Sequence, residues 1–82
     1  MRFLDTDYQG PVRRIQIYLT PREAADLRGA LDRLLEAPEA SEHAHVFAEE
    51  ASRDLSVSIV TPNKLRELKR YTDAERRMFS EP

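Results

Sequence analysis

The sequence has no cysteine, no tryptophan and only two glycines among its 82 residues. Without cysteine there is no disulfide framework, no thiolate zinc site, no iron–sulfur cluster and no cysteine nucleophile. Gly10 and Gly29 stand apart, so neither phosphate-cradling fingerprint, Walker or dinucleotide, can be written. Long apolar runs are missing too. None approaches the ~18–20 residues that a membrane span requires, and no membrane partner is expected. The opening Met1-Arg2-Phe3-Leu4 meets an acid at Asp5 and does not read as a signal peptide. A cytoplasmic location is the expectation.

What is present is charge. Charged residues make up 34% of the chain, hydrophobic ones 40%, and the net charge is −2. That small sum hides an uneven distribution. Residues 21–54 carry four arginines against nine acids, a net −5, whereas residues 62–79 carry Lys64, Arg66, Lys69, Arg70, Arg76 and Arg77 against three acids, a net +3. Such a split gives an acidic and a basic surface that attract one another, within a molecule or between copies. A chain of this length fits one domain, 1–82, with a small core, since it buries only about 60–65% of the surface it exposes when unfolded.

Hydrophobic periodicity locates the elements. In VRRIQIYL, residues 12–19, Ile15, Ile17 and Leu19 alternate with Arg14, Gln16 and Tyr18, the period of a half-buried strand. Residues 1–8 read as a preceding edge strand joined through Gln9-Gly10-Pro11, or else as a mobile tail. Thr20-Pro21-Arg22-Glu23 then starts a helix with a cap, an N1 proline and a capping-box acid. Ala24, Leu27, Leu31, Leu34 and Leu35 supply its apolar stripe, and Pro38 stops it near Glu36.

Two more strands are expected at 43–49, HAHVFAE, and 54–60, DLSVSIV, paired as an antiparallel hairpin. In the first of these, either His43, His45 and Phe47 or Ala44, Val46 and Ala48 face the core. Thr61-Pro62 repeats the earlier helix start, and YLTPREAADL aligns with IVTPNKLREL without a gap. The match suggests two related halves, or two uses of one good helix start. The last helix spans 62–79 with Leu65 and Leu68 inward, either continuous or broken near Thr72, where Thr72-Asp73-Ala74-Glu75 has capping-box spacing. Residues 80–82 fray. Together these elements predict an α+β fold of order ββαββα, with a four-stranded, mainly antiparallel sheet and both helices on one face.

Three kinds of function compete. The opposite sheet face would show Arg14, Gln16, Tyr18, His45 and Phe47, too mixed for a core and aromatic enough for a contact. That face, the split charge and the lack of a catalytic motif point to a small non-enzymatic interaction module of bacterial type. It would act as a homodimer, or as an adaptor or immunity-like subunit on a protein partner, without a cofactor. The basic set Lys64, Arg66, Lys69, Arg70, Arg76 and Arg77 offers a nucleic-acid surface as the alternative, against a pI near 5.7. His43 and His45, two apart on a strand, could share a metal, but no third histidine or cysteine exists to complete the set. Ser56 and Ser58 read as the polar face of a strand, not as nucleophiles.

Overall fold

The computed structural model describes residues 1–81, in the order β1 (Phe3–Asp5), β2 (Gly10–Val12), α1 (Pro21–Glu36), β3 (His43–Phe47), β4 (Asp54–Ser58), α2 (Pro62–Leu65), a 3-10 turn (Leu68–Arg70) and α3 (Asp73–Ser80). It is a small α+β fold. Its strands form two separate two-stranded antiparallel sheets, β1–β2 and β3–β4, where the sequence pattern led us to expect one sheet of four strands. Contacts gather into two compact units: Met1–Ile17 with the chain from Glu67 onward, and Tyr18–Arg66.

In the first unit β1 and β2 pair Phe3 with Val12 and Asp5 with Gly10. The turn lies earlier than the Gln9-Gly10-Pro11 step suggested. Asp5 Oδ1 accepts from the N–H groups of Asp7 and Tyr8 at 3.0 and 3.1 Å, an Asx-type closure. Gln9 then takes a left-handed φ of 58°, which frees Gly10 and Pro11 to enter β2. Ala74 and Met78 of α3 are buried in this unit, where α3 packs on both strands. Phe79 meets Tyr71 edge to face, with ring centroids 4.9 Å apart.

The expected helix over 62–79 is broken twice. Thr61 caps α2, its Oγ1 accepting from Lys64 N at 3.2 Å, but no carboxylate follows at the third helical position and the helix stops at Leu65. Thr72 then starts α3 with a complete capping box: Thr72 Oγ1 accepts from Glu75 N at 3.2 Å and Thr72 N donates to Glu75 Oε1 at 2.8 Å. Leu65 and Leu68, expected inward, are exposed, because the short helix and the 3-10 turn do not continue one stripe.

In the second unit α1 starts as its sequence dictates, from a Thr20–Glu23 capping box and Pro21. Its buried line is Glu23, Ala30 and Leu34, with Leu27 half-buried between them and Ala30 and Leu34 in the core with Val46. The expected stripe was wider. Ala24, Leu31 and Leu35 lie exposed, because a two-stranded hairpin covers only part of the helix's apolar face, and α1 packs chiefly on β3 rather than β4. The hairpin pairs His43 with Ser58, His45 with Ser56 and Phe47 with Asp54. Both strands are two residues shorter than the alternation implied, β3 ending at Phe47 and β4 at Ser58. Between them Ala51 adopts a left-handed φ of 60°.

The largest departure concerns residues 12–19. Only Val12 is in a strand. Ile15, Ile17 and Leu19, expected in the core, are exposed, and none of residues 14–19 makes a hydrogen bond with another described residue. Alternation shows that a segment suits a strand, but pairing requires a neighbouring edge.

Candidate protein-contact face

Period-two geometry sorts β3 into two faces. Ala44 and Val46 turn towards α1, and Val46 is buried; His43, His45 and Phe47 turn outward. On β4, Leu55 and Val57 turn inward and Asp54, Ser56 and Ser58 outward. The two faces that the sequence left open are thereby assigned, and the register brings the outward residues together.

The outward face is organised around His45. Its Nδ1 lies 2.9 Å from Asp54 Oδ2 and 3.0 Å from Oδ1. An ionised carboxylate only accepts, so Nδ1 carries the proton and Nε2 is left as the open nitrogen. The His45 ring stacks on Phe47, with centroids 5.7 Å apart and planes 15° apart, and meets His43 edge-on at 4.9 Å. Three rings thus run along one strand, their centre fixed from the neighbouring strand. Both partners of the His45–Asp54 pair are well exposed, so it adds at most about 1 kcal/mol of stability. Its effect is to orient a ring. Phe47 is 59% exposed, a large apolar surface facing water beside a fixed polar group.

Asp54 is the residue of this face that the pattern of the sequence did not reveal. Its place follows from the hairpin register, which sets it opposite Phe47 and diagonal to His45. The same register sets Ser56 opposite His45. No hydrogen bond joins that hydroxyl to the imidazole among the described residues, and the face is open. The arrangement therefore lacks the nucleophile–base contact that acyl chemistry needs. Among the described residues no group of three or more His, Asp or Glu side chains is placed to hold a metal ion.

The other sequence-predicted residues are dispersed. Arg14, Gln16 and Tyr18 lie on the unpaired segment and not on a sheet with His45 and Phe47. The six basic residues are mostly drawn into local contacts. Lys64 is 3% exposed and its Nζ donates to Ser41 O at 2.7 Å and Ile59 O at 2.9 Å. Arg66 bonds Asn63. Arg76 turns back along its own helix start, donating to Leu68 O at 3.2 Å, to Tyr71 O and to Asp73. Arg70 lies 3.9 Å from Glu67, and Arg77 reaches Gln9 O at 3.5 Å. Lys69 is left exposed on the 3-10 turn.

Glu23 is the second buried charge. Its Oε1 accepts from Thr20 N at 2.8 Å and its Oε2 from Glu49 N at 2.9 Å. The backbone N–H of Thr20, then that of Glu49, hold its carboxyl below the ordinary value of 4.5, against the opposing effect of burial. In the first unit, a shallow groove of about 420 Å³ passes Met1, Arg2, Phe3, Pro11, Arg13 and Met78. Arg2 there bonds the Glu81 carbonyl at 2.8 Å.

Compared with known proteins, the chain matches no family model, no curated protein and no solved structure. No helix among the described residues is long and apolar enough to cross a membrane.

Proposed function

We propose that this protein is a small non-enzymatic interaction module of the cytoplasm that binds a protein partner through the outer face of the β3–β4 hairpin. The supporting observation is the ring stack on that face: Phe47, 59% exposed, lies flat against His45, itself held by Asp54. An aromatic side chain that is already oriented gives contact area at little cost in conformational entropy, and aromatic residues dominate the energetics of protein interfaces. Around it His43, Ser56 and Ser58 supply a polar rim. The burial of Lys64 and the local pairing of Arg66, Arg70 and Arg76 favour this reading over a nucleic-acid surface.

The test is capture by the tagged full-length chain from an extract of its source cells, run in parallel with Phe47→Ser and with Tyr8→Ser, an exposed aromatic control in the first unit. The reading expects one stoichiometric protein partner that Phe47→Ser loses and Tyr8→Ser retains. Equal capture by all three chains would reject the face. Capture of nucleic acid in place of protein would reject the class.

A further inference from the structure

We infer that residues 13–19 form a strand that pairs with the free edge of β3 in a second copy of this chain, and that the exchange is reciprocal. The inference goes beyond the outer face described above and concerns the edge of the same hairpin.

Four observations carry it. The first is the segment itself. Ile15 and Ile17 are 49% and 50% exposed, they alternate with Arg14, Gln16 and Tyr18, and residues 14–19 make no hydrogen bond among the described residues. A strand-patterned segment with both its apolar face and its backbone unpaired is a template for pairing. The second is the acceptor. β3 has β4 on one side only, and α1 packs chiefly on β3. Leu31 and Leu35, the latter 62% exposed, are the uncovered part of α1's apolar face. A strand added beside β3 would bring Ile15, Ile17 and Leu19 beneath them.

The third is charge. The segment carries Arg13 and Arg14 and no acid, while the chain around β3 carries Glu39, Glu42, Glu49 and Glu50 against the single cation Arg53, which pairs with Glu50. Opposite charges across the new pairing set its register and speed its encounter. The fourth observation favours a second copy over the same chain as the partner. A single residue, Thr20, links Leu19 to the first residue of α1. Strand-to-helix connections that return a helix over its own strand use about 2–6 residues. A strand running to Leu19 leaves a shorter connection than that, and in the single chain the segment is unpaired, so the edge that suits it is one in a second copy. Each copy holds both a donor strand and an acceptor edge, which is the self-complementarity of a twofold dimer. In that dimer Arg14, Gln16 and Tyr18 of one copy would continue the outward face of His43, His45 and Phe47 of the other.

Two measurements on the full-length chain test this: sedimentation equilibrium, and amide exchange of residues 14–18, both from low micromolar to several hundred micromolar protein. The variants are Gln16→Pro, which removes an N–H and blocks pairing, Ile17→Glu, which charges the buried face, and Phe47→Ala. We expect a dimer whose formation slows exchange at 14–18. Dimerisation should weaken more than tenfold in Gln16→Pro and Ile17→Glu at unchanged far-UV circular dichroism, and stay within twofold of the unmodified chain in Phe47→Ala. A dimer that persists in Gln16→Pro and Ile17→Glu overturns the inference. So does a monomer at every concentration, whether residues 14–18 are protected, which would mean pairing within one chain, or unprotected. None of these outcomes affects the Phe47-dependent capture of a protein partner, which stands or falls separately.

Discussion

Replacing Lys64 by methionine should cost this protein about 2–4 kcal/mol. The side chain is 3% exposed and its ammonium bonds two backbone carbonyls, Ser41 O and Ile59 O. Methionine keeps most of the stem's volume and removes the donor, so the packing change is small and the polar change is isolated. Hydrogen bonds to a charged donor contribute about 1.5–3 kcal/mol each. Losing both, and leaving two carbonyls without that donor, sets the gross loss. The recovered desolvation of the ammonium reduces it. The remainder is large against a total stability of about 4–12 kcal/mol for a chain of this size. At about 4–8 °C per kcal/mol, the melting temperature should fall by about 8–32 °C. Urea unfolding followed by far-UV circular dichroism is the suitable assay, since α1 supplies most of the helix and belongs to the same unit as Lys64. Lys69→Met, on the exposed 3-10 turn, is the control and should change stability by less than about 0.5 kcal/mol. A Lys64→Met chain as stable as the original would show that the desolvation of the ammonium outweighs its bonds, and would refute the reasoning.

Other perturbations follow from the same contacts. Because the carboxyl of Glu23 is held below 4.5 in the fold, its contribution is complete above that value and disappears as pH falls through the lowered one. Urea midpoints measured between neutral and acid pH should show this loss, and Glu23→Gln, which turns an amide N–H towards a backbone donor, should be weaker at neutral pH and less sensitive below 4.5. Thr72→Ala removes the cap of α3 and should cost about 1 kcal/mol. Amide exchange should speed up over residues 73–80 and stay unchanged in α1. Ala51, at a φ of 60°, occupies a conformation that costs a residue with a Cβ about 1–2 kcal/mol. Ala51→Gly should therefore stabilise the β3–β4 hairpin by about 0.5–1 kcal/mol once glycine's greater freedom in the unfolded chain is subtracted, read as slower exchange in β3.

Features governed by neighbours in sequence were legible. The caps at Thr20, Thr61 and Thr72 are written within four residues each, and all three start a helix where they stand. The alternation of 54–58 and the antiparallel pairing with β3 were equally local. Features that depend on distant residues were not. Residues 13–19 have a strand's pattern, but nothing in that pattern says whether a neighbouring edge is there to pair with it, and in this fold the segment is unpaired. The burial of Lys64 was invisible because a lysine on a helix ordinarily faces water, and only the carbonyls of Ser41 and Ile59, 23 and 5 residues away, draw it inside. The His45–Asp54 pair needed a hairpin register closed across a connection that contains a left-handed alanine. His45 and Phe47 were legible as surface candidates; Asp54, which orients them, was not.

The two Thr–Pro helix starts place their buried charges at the same position, three residues after the cap, but with opposite sign: Glu23 in α1 and Lys64 in α2. Neither neutralises the other or any side chain. Each is answered chiefly by backbone, Glu23 by two N–H groups and Lys64 by two carbonyls. A side-chain ion pair can be inverted by exchanging its members, but main-chain partners cannot change sign. Over evolutionary time these positions should therefore drift without reference to one another, each confined to one kind of charge. Neither can be rescued by compensation at the other.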